Sequence, residues 1–148
     1  GGYIMGAFTA DGILSMWGDN SSNATDLPST TAFRTAAPNT SQNACGIDLD
    51  NQISCWGQEG YGVTDAVEGD HALVALGLYH ACALSLGKNI TCWGMENASA
   101  SLDYGQVSDA PMGSDYVHLD CGMYNCCAVT SSDDVTCWGY DEYGQSTP

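Results

Sequence analysis

The sequence predicts an all-β protein built from one small sheet repeated along the chain, and three observations predict it. A Trp-Gly pair recurs at Trp17, Trp56, Trp93 and Trp138, in steps of 39, 37 and 45 residues, a period that belongs to repeat architectures. The segment ahead of each pair alternates apolar and polar residues about a turn-forming centre, as in "GAFTADGILSMWG", "CGIDLDNQISCWG", "CALSLGKNITCWG" and "CAVTSSDDVTCWG". No stretch of useful length has helical periodicity.

Each of these segments reads as a β-hairpin. Its centre is Asp11-Gly12, Asp50-Asn51, Gly87-Lys88 or Asp133-Asp134, and Gly, Asn and Asp tolerate the positive φ that a tight turn needs. A further apolar strand enters each hairpin, as in "ALVALG" at 72–77 and "YVHLDCG" at 116–122. After the Trp-Gly pair comes a connector with Tyr61-Gly62, Tyr104-Gly105 or Tyr143-Gly144; the second is longer by six residues within "MENASASLD", which marks an exposed loop. Over 19–44 the Tyr-Gly pair is missing. A sheet this small cannot bury both faces alone, so successive sheets must stack, radially as a β-propeller or linearly as a solenoid. The propeller is the expectation: about three and a half to four blades, incomplete at both ends and disulfide-bonded, with units near 1–27, 28–66, 67–110 and 111–148.

Cysteine usage points to the compartment. Cys45 and Cys55, Cys82 and Cys92, and Cys127 and Cys137 share a separation of ten residues, and in the first unit Gly6 and Met16 replace both partners together. Joint loss predicts pairing, and no knuckle spacing suggests zinc. Cys121 and Cys126 form either a fourth local bridge or intermolecular links. Five of the eight asparagines, Asn20, Asn23, Asn39, Asn89 and Asn97, begin N-x-Ser/Thr sequons. Together with paired cysteines they predict a secreted or cell-surface glycoprotein with covalent glycans.

Charge excludes other classes. Lys88 and Arg34 are the two fixed cations in a chain of net charge −16, so phosphate backbones and anionic lipid surfaces are repelled. The sequence has no apolar run long enough to cross a bilayer and no signal-peptide pattern; nucleic-acid binding and membrane insertion are not expected.

The stretch "YVHLDCGMYNCCAVTSSDDVTCWGYDEYGQ" resembles the repeat of the regulator-of-chromosome-condensation propeller superfamily. Its cysteines make it similar to the crinkly-type repeats of plant receptor-kinase ectodomains and of secreted proteins. The resemblance covers nearly the whole chain and is weakest over 19–44. It implies blades around an axis, usually seven, and does not carry the nuclear exchange-factor activity.

Catalytic chemistry is not expected. His80 aligns with Asn43 and Asn125, which suits a turn or packing role; His118 falls in a leading strand and His71 in a connector. "GQEGYG" lacks the phosphate-loop spacing. Acidic turns such as Asp48 with Asp50 have no calcium-loop pattern, and no cofactor or metal is implied. Trp17, Trp56, Trp93 and Trp138 are expected to pack between blades. Neither end completes a unit: the segment belongs to a longer protein, or a strand is missing, or protomers complete one another and polymerise. The reading is a non-catalytic extracellular structural or assembly subunit of a cell-surface or fibrous layer, with self-association or a protein partner. The alternative is a ligand-binding receptor ectodomain fragment or a secreted protein-binding inhibitor.

Overall fold

The computed structural model describes residues 4–28, 32–38, 42–95 and 98–148. Strands β1 (Ile4–Phe8) and β2 (Leu14–Gly18) form a two-stranded sheet. Three-stranded antiparallel sheets follow: β3 (Phe33–Pro38), β4 (Asn43–Asp48) and β5 (Ile53–Gly57); β6 (His71–Leu76), β7 (His80–Ser85) and β8 (Ile90–Gly94); β9 (Tyr116–Cys121), β10 (Asn125–Thr130) and β11 (Val135–Gly139). Sequence order is spatial order within each sheet. The leading strands β3, β6 and β9 meet their neighbours from sheet to sheet. Among the described residues the helical content is one 3-10 turn, Ala100–Leu102, and no helix is long and apolar enough to cross a membrane.

All four hairpins turn in the same way. The amides of Thr9, Asp48, Ser85 and Thr130 donate to the carbonyls of Ile13, Gln52, Asn89 and Asp134, at 2.9–3.0 Å. The side-chain oxygens of the same four residues accept from the backbone amides of those partners, at 2.8–3.2 Å. Such a three-residue loop needs a left-handed residue at its third position; Gly12, Asn51, Lys88 and Asp133 fill it, with φ of 65–80°.

The hairpin register then brings cysteines opposite one another. Cys45 faces Cys55, Cys82 faces Cys92 and Cys127 faces Cys137. Each pair is a disulfide with Cα atoms 4.0 Å apart, the close spacing of directly opposed cross-strand neighbours. In the chain-entropy view, closing a loop of this length stabilises by roughly 2–3 kcal/mol. The fourth bridge is local: Cys121 on β9 joins Cys126 on β10. No cysteine is free.

The core is not inside any one sheet but lies at the three joints between sheets. At the second joint Cys45 and Val63 pack on Ala81, Ala83 and Trp93 of the next sheet. At the third, Cys82 and Leu84 pack on Cys126, Ala128 and Trp138. A cystine against small residues and a tryptophan is thus the packing unit. The first joint has no cystine. There the Met16 thioether covers Gly6, 2.5 Å from where a Cβ would stand, and Phe33 covers Gly46 and stacks on Trp56 with ring centroids 5.3 Å apart. Methionine fills the irregular space that the missing sulfur pair leaves.

The leading strand expected ahead of each hairpin is present in the second unit as β3, "FRTAAP", which pairs with β4. Two local expectations change. His71 opens β6, where it pairs with Ser85 of β7, and is buried rather than lying in a connector; its amide reaches back to the Asn51 carbonyl in the hairpin turn of the preceding sheet at 2.9 Å. After Trp17 the connector turn survives without Tyr-Gly: Asn23 takes φ of 59°, matching Gly62, Gly105 and Gly144 at 71–83°. Asparagine is among the few side chains that accept this region readily.

At three of the Trp-Gly pairs the glycine, Gly57, Gly94 or Gly139, is needed for close approach. Gly94 has φ of 99°, and a Cβ there would stand 2.6 Å from the Tyr79 carbonyl oxygen and 2.9 Å from the His80 Cα. Gly94→Ala is expected to lower stability by about 2 kcal/mol or more, read as a fall in the urea midpoint with an unchanged slope.

Candidate interaction surface

Each tryptophan with a preceding unit reaches back to it. The indole Nε1–H of Trp56 donates to the Ala24 carbonyl at 2.9 Å, that of Trp93 to Val63 at 3.0 Å and that of Trp138 to Gln106 at 2.9 Å. The acceptors are equivalent: each follows the left-handed residue of its connector, at Asn23, Gly62 or Gly105. These three indoles are 5–8% exposed, whereas Trp17 is 51% exposed. Trp17 therefore departs from the packing expected of it. The equivalent carbonyl after Trp138 is that of Gln145, and no indole reaches it among the described residues.

The same connectors carry tyrosines to one end of the sheets, opposite the hairpin turns. Tyr61 stacks on Tyr79 of the next unit, with centroids 4.2 Å apart. Tyr104 meets Tyr124 at 5.6 Å and Tyr140 at 4.5 Å, and Tyr140 meets Tyr143 at 6.2 Å. Burial, and secondarily the neighbouring Tyr61 and Tyr124, raise the pKa of Tyr79. The Tyr140 hydroxyl donates to the Glu142 carboxylate, whose hydrogen bond holds that phenol well above its ordinary range. At the first joint a polar pair stands in this place, with the Ser22 hydroxyl donating to Gln42 Oε1 at 2.6 Å.

His80 opens β7 and is wholly buried. Its Nε2 lies 3.1 Å from Cys126 Sγ, and its Nδ1 has no hydrogen-bond partner. Burial pushes its pKa down to about 4. Donor atoms of His80, Cys82, Cys121 and Cys126 lie within 4.8 Å of one another, a grouping that chain spacing did not reveal because it spans two sheets. With all three sulfurs in cystines they are not thiolate ligands, and the cluster is a packed sulfur contact, Cys82 Sγ to Cys126 Sγ 3.6 Å. Burial likewise lowers the pKa of His71, whereas His118 is exposed on β9.

Among the sequon asparagines, Asn20, Asn23 and Asn89 are exposed. The Asn20 amide donates to Asp26 at 2.8 Å and that of Asn89 to the Gly87 carbonyl at 3.2 Å. Asn39 and Asn97 lie outside the described residues.

Four small antiparallel sheets, three of them pinned by cystines and stacked through repeated indole joints, define a propeller-like array of extracellular type, since cystines of this density belong to oxidising compartments. Residues 116–145 match the Regulator of chromosome condensation (RCC1) repeat, and the chain carries RCC1-like repeats in a cysteine-bearing form. It is similar to the CRINKLY WD40 ectodomain of the Arabidopsis thaliana receptor kinase ACR4, with 25% identity and a TM-score of 0.78 over 99% of this chain and 50% of that one. It is also similar to the ectodomain of the Physcomitrella patens receptor kinase CR4, with 20% identity and a TM-score of 0.74 over 94% of this chain and 37% of that one. Yeast RCC1 (Prp20), solved with Kap60, gives 13% identity and a TM-score of 0.69 over 94% of this chain and 42% of that one. The chain thus spans half or less of the length of these structures. No curated protein matches.

Trp138→Phe is expected to cost about 1–3 kcal/mol by leaving the Gln106 carbonyl unpaired at a buried joint, whereas Trp17→Phe should change stability by less than about 0.5 kcal/mol; chemical denaturation of the two variants measures the difference. For His80 the folded pKa lies below the unfolded value, so its contribution is complete above about pH 6.5 and is lost as pH falls toward 4. The loss is on the order of 3 kcal/mol in total. His80→Asn, with the residue found at the aligned positions, should show a shallower stability loss between pH 7 and 4 than the parent.

Proposed function

We propose that the chain is a non-catalytic, N-glycosylated assembly module of a cell-surface or fibrous layer, with repeat units 1–27, 28–66, 67–110 and 111–148 that dock end to end. The carrying observation is the indole joint. It recurs three times within the chain, while its donor stands outward at Trp17 and its acceptor position recurs at Gln145. The two-stranded first sheet supports the same reading, because unpaired strand edges accept further strands. Glycans on Asn20, Asn23, Asn39, Asn89 and Asn97 would decorate turns and connectors. Recognition runs through joints and connectors; the module needs no cofactor.

A second reading is a ligand-binding ectodomain, or a secreted inhibitor that binds protein. Likeness to two receptor-kinase ectodomains and the tyrosine-lined end favour it.

Sedimentation velocity of the secreted protein over a wide concentration range tests the assembly reading. The expected result is reversible, concentration-dependent association that strengthens with salt, since net charge −16 opposes contact between copies. Trp17→Ser should weaken it about tenfold, equivalent to one buried hydrogen bond, and peptide N-glycosidase should lower the mass. A single monomeric species at every concentration and salt level would overturn it.

A further inference from the structure

We infer that the tyrosine-lined end of the sheets is a binding site for an extended, arginine-bearing peptide segment of a partner protein. The inference rests on the ligand-binding reading and names the chemistry of its ligand. Six of the eight tyrosines gather at this end in two groups at successive joints, Tyr61 with Tyr79 and Tyr104 with Tyr124, Tyr140 and Tyr143. Tyr143 is 83% exposed and Tyr104 36%. Joint packing accounts for the Tyr61–Tyr79 pair, but not for rings left in water. Exposed aromatic surface of this kind is characteristic of recognition sites, because tyrosine supplies large contact area at low entropic cost.

Charge selects the occupant. Glu59, Asp103, Asp109, Asp141 and Glu142 lie on the same connectors and are exposed, and the Glu142 carboxylate is bonded to Tyr140. Neither fixed cation of the chain neutralises them. Lys88 sits in a hairpin turn at the opposite end, and the Arg34 guanidinium donates to the carbonyls of His71 and Ala72 at 2.5 and 3.3 Å. Ring faces beside carboxylates with no local cation complement a guanidinium, which stacks on an aromatic ring and forks onto a carboxylate at once. Successive ring groups at two joints require a ligand that runs across sheets, which an extended peptide does. The first joint, with Ser22 and Gln42 in place of tyrosines, bounds the site on one side.

The whole molecule is acidic, so the test must separate ring stacking from general attraction. Calorimetric titration of the glycoprotein with a glycine-spaced arginine peptide is compared with its citrulline isostere, its lysine counterpart and a neutral oligosaccharide. Arginine should bind most tightly and citrulline at least about tenfold more weakly. Tyr104→Ser with Tyr143→Ser, both at exposed rings, should cut arginine-peptide affinity about tenfold. Asp115→Asn with Asp133→Asn and Asp134→Asn, at the hairpin end, should leave the arginine-over-citrulline ratio unchanged. Peptide binding that ignores the tyrosine variant overturns the site but leaves ligand binding standing elsewhere. Oligosaccharide binding with no peptide binding overturns the ligand class, and no binding of any probe overturns the inference together with the reading under it. Circular dichroism of each variant confirms that the fold is retained.

Discussion

The indole-to-carbonyl bond between neighbouring sheets is the constraint around which the rest is arranged. A tryptophan buried at a joint brings a donor that must be satisfied, and the acceptor must arrive from the preceding unit at one fixed place. A left-handed residue in the connector, Asn23, Gly62 or Gly105, turns the chain so that the next carbonyl faces the indole. The glycine after each joint tryptophan, Gly57, Gly94 or Gly139, lets the strand end pass close to the backbone that enters its paired strand. The repeat length follows: the acceptor lies 30–32 residues before its donor at all three joints. The six-residue insertion of the third connector falls outside that span's fixed parts and is taken up near the 3-10 turn at 100–102.

Much of this was legible in the chain because the joint uses side chains of distinctive chemistry. Trp-Gly, paired cysteines and turn centres recur at constant offsets, so hairpins, register and stacked sheets follow from spacing alone. What escaped notice did so for physical reasons. Asn23 does the work of a glycine, so a search for Tyr-Gly passes over it. Ser22 and Gln42 replace a stacked aromatic pair by a hydrogen bond, which preserves the contact and erases the motif. The sulfur cluster beside His80 is assembled from two sheets, and no chain spacing encodes it. The connector tyrosines are visible in the chain as Tyr-Gly pairs, and Tyr61 packs on Tyr79, but their common placement at one end depends on stacking and emerges only in three dimensions.

The two ends of the sheets therefore divide the labour of the sequence. Hairpin turns repeat one hydrogen-bonding scheme with interchangeable polar residues, and their chemistry varies little from unit to unit. Connectors hold the joints through backbone geometry, which frees their side chains to differ: polar at the first joint, aromatic at the next two. Such a scaffold accommodates new surface chemistry without altering the core, because the core contacts come from strands, tryptophans and the one inward connector residue at Ala24 or Val63, while the exposed rings come from the rest of the loops.

Replacing a cystine by Met16 at the first joint also changes what can damage it. Cystines are opened by reductants and are inert to mild peroxide. A thioether responds in the opposite sense, since its oxidation to the sulfoxide places a polar, chiral group where a hydrophobic filler stood. The array therefore has one joint vulnerable to electron loss and two vulnerable to electron gain, so no single redox insult loosens every joint together.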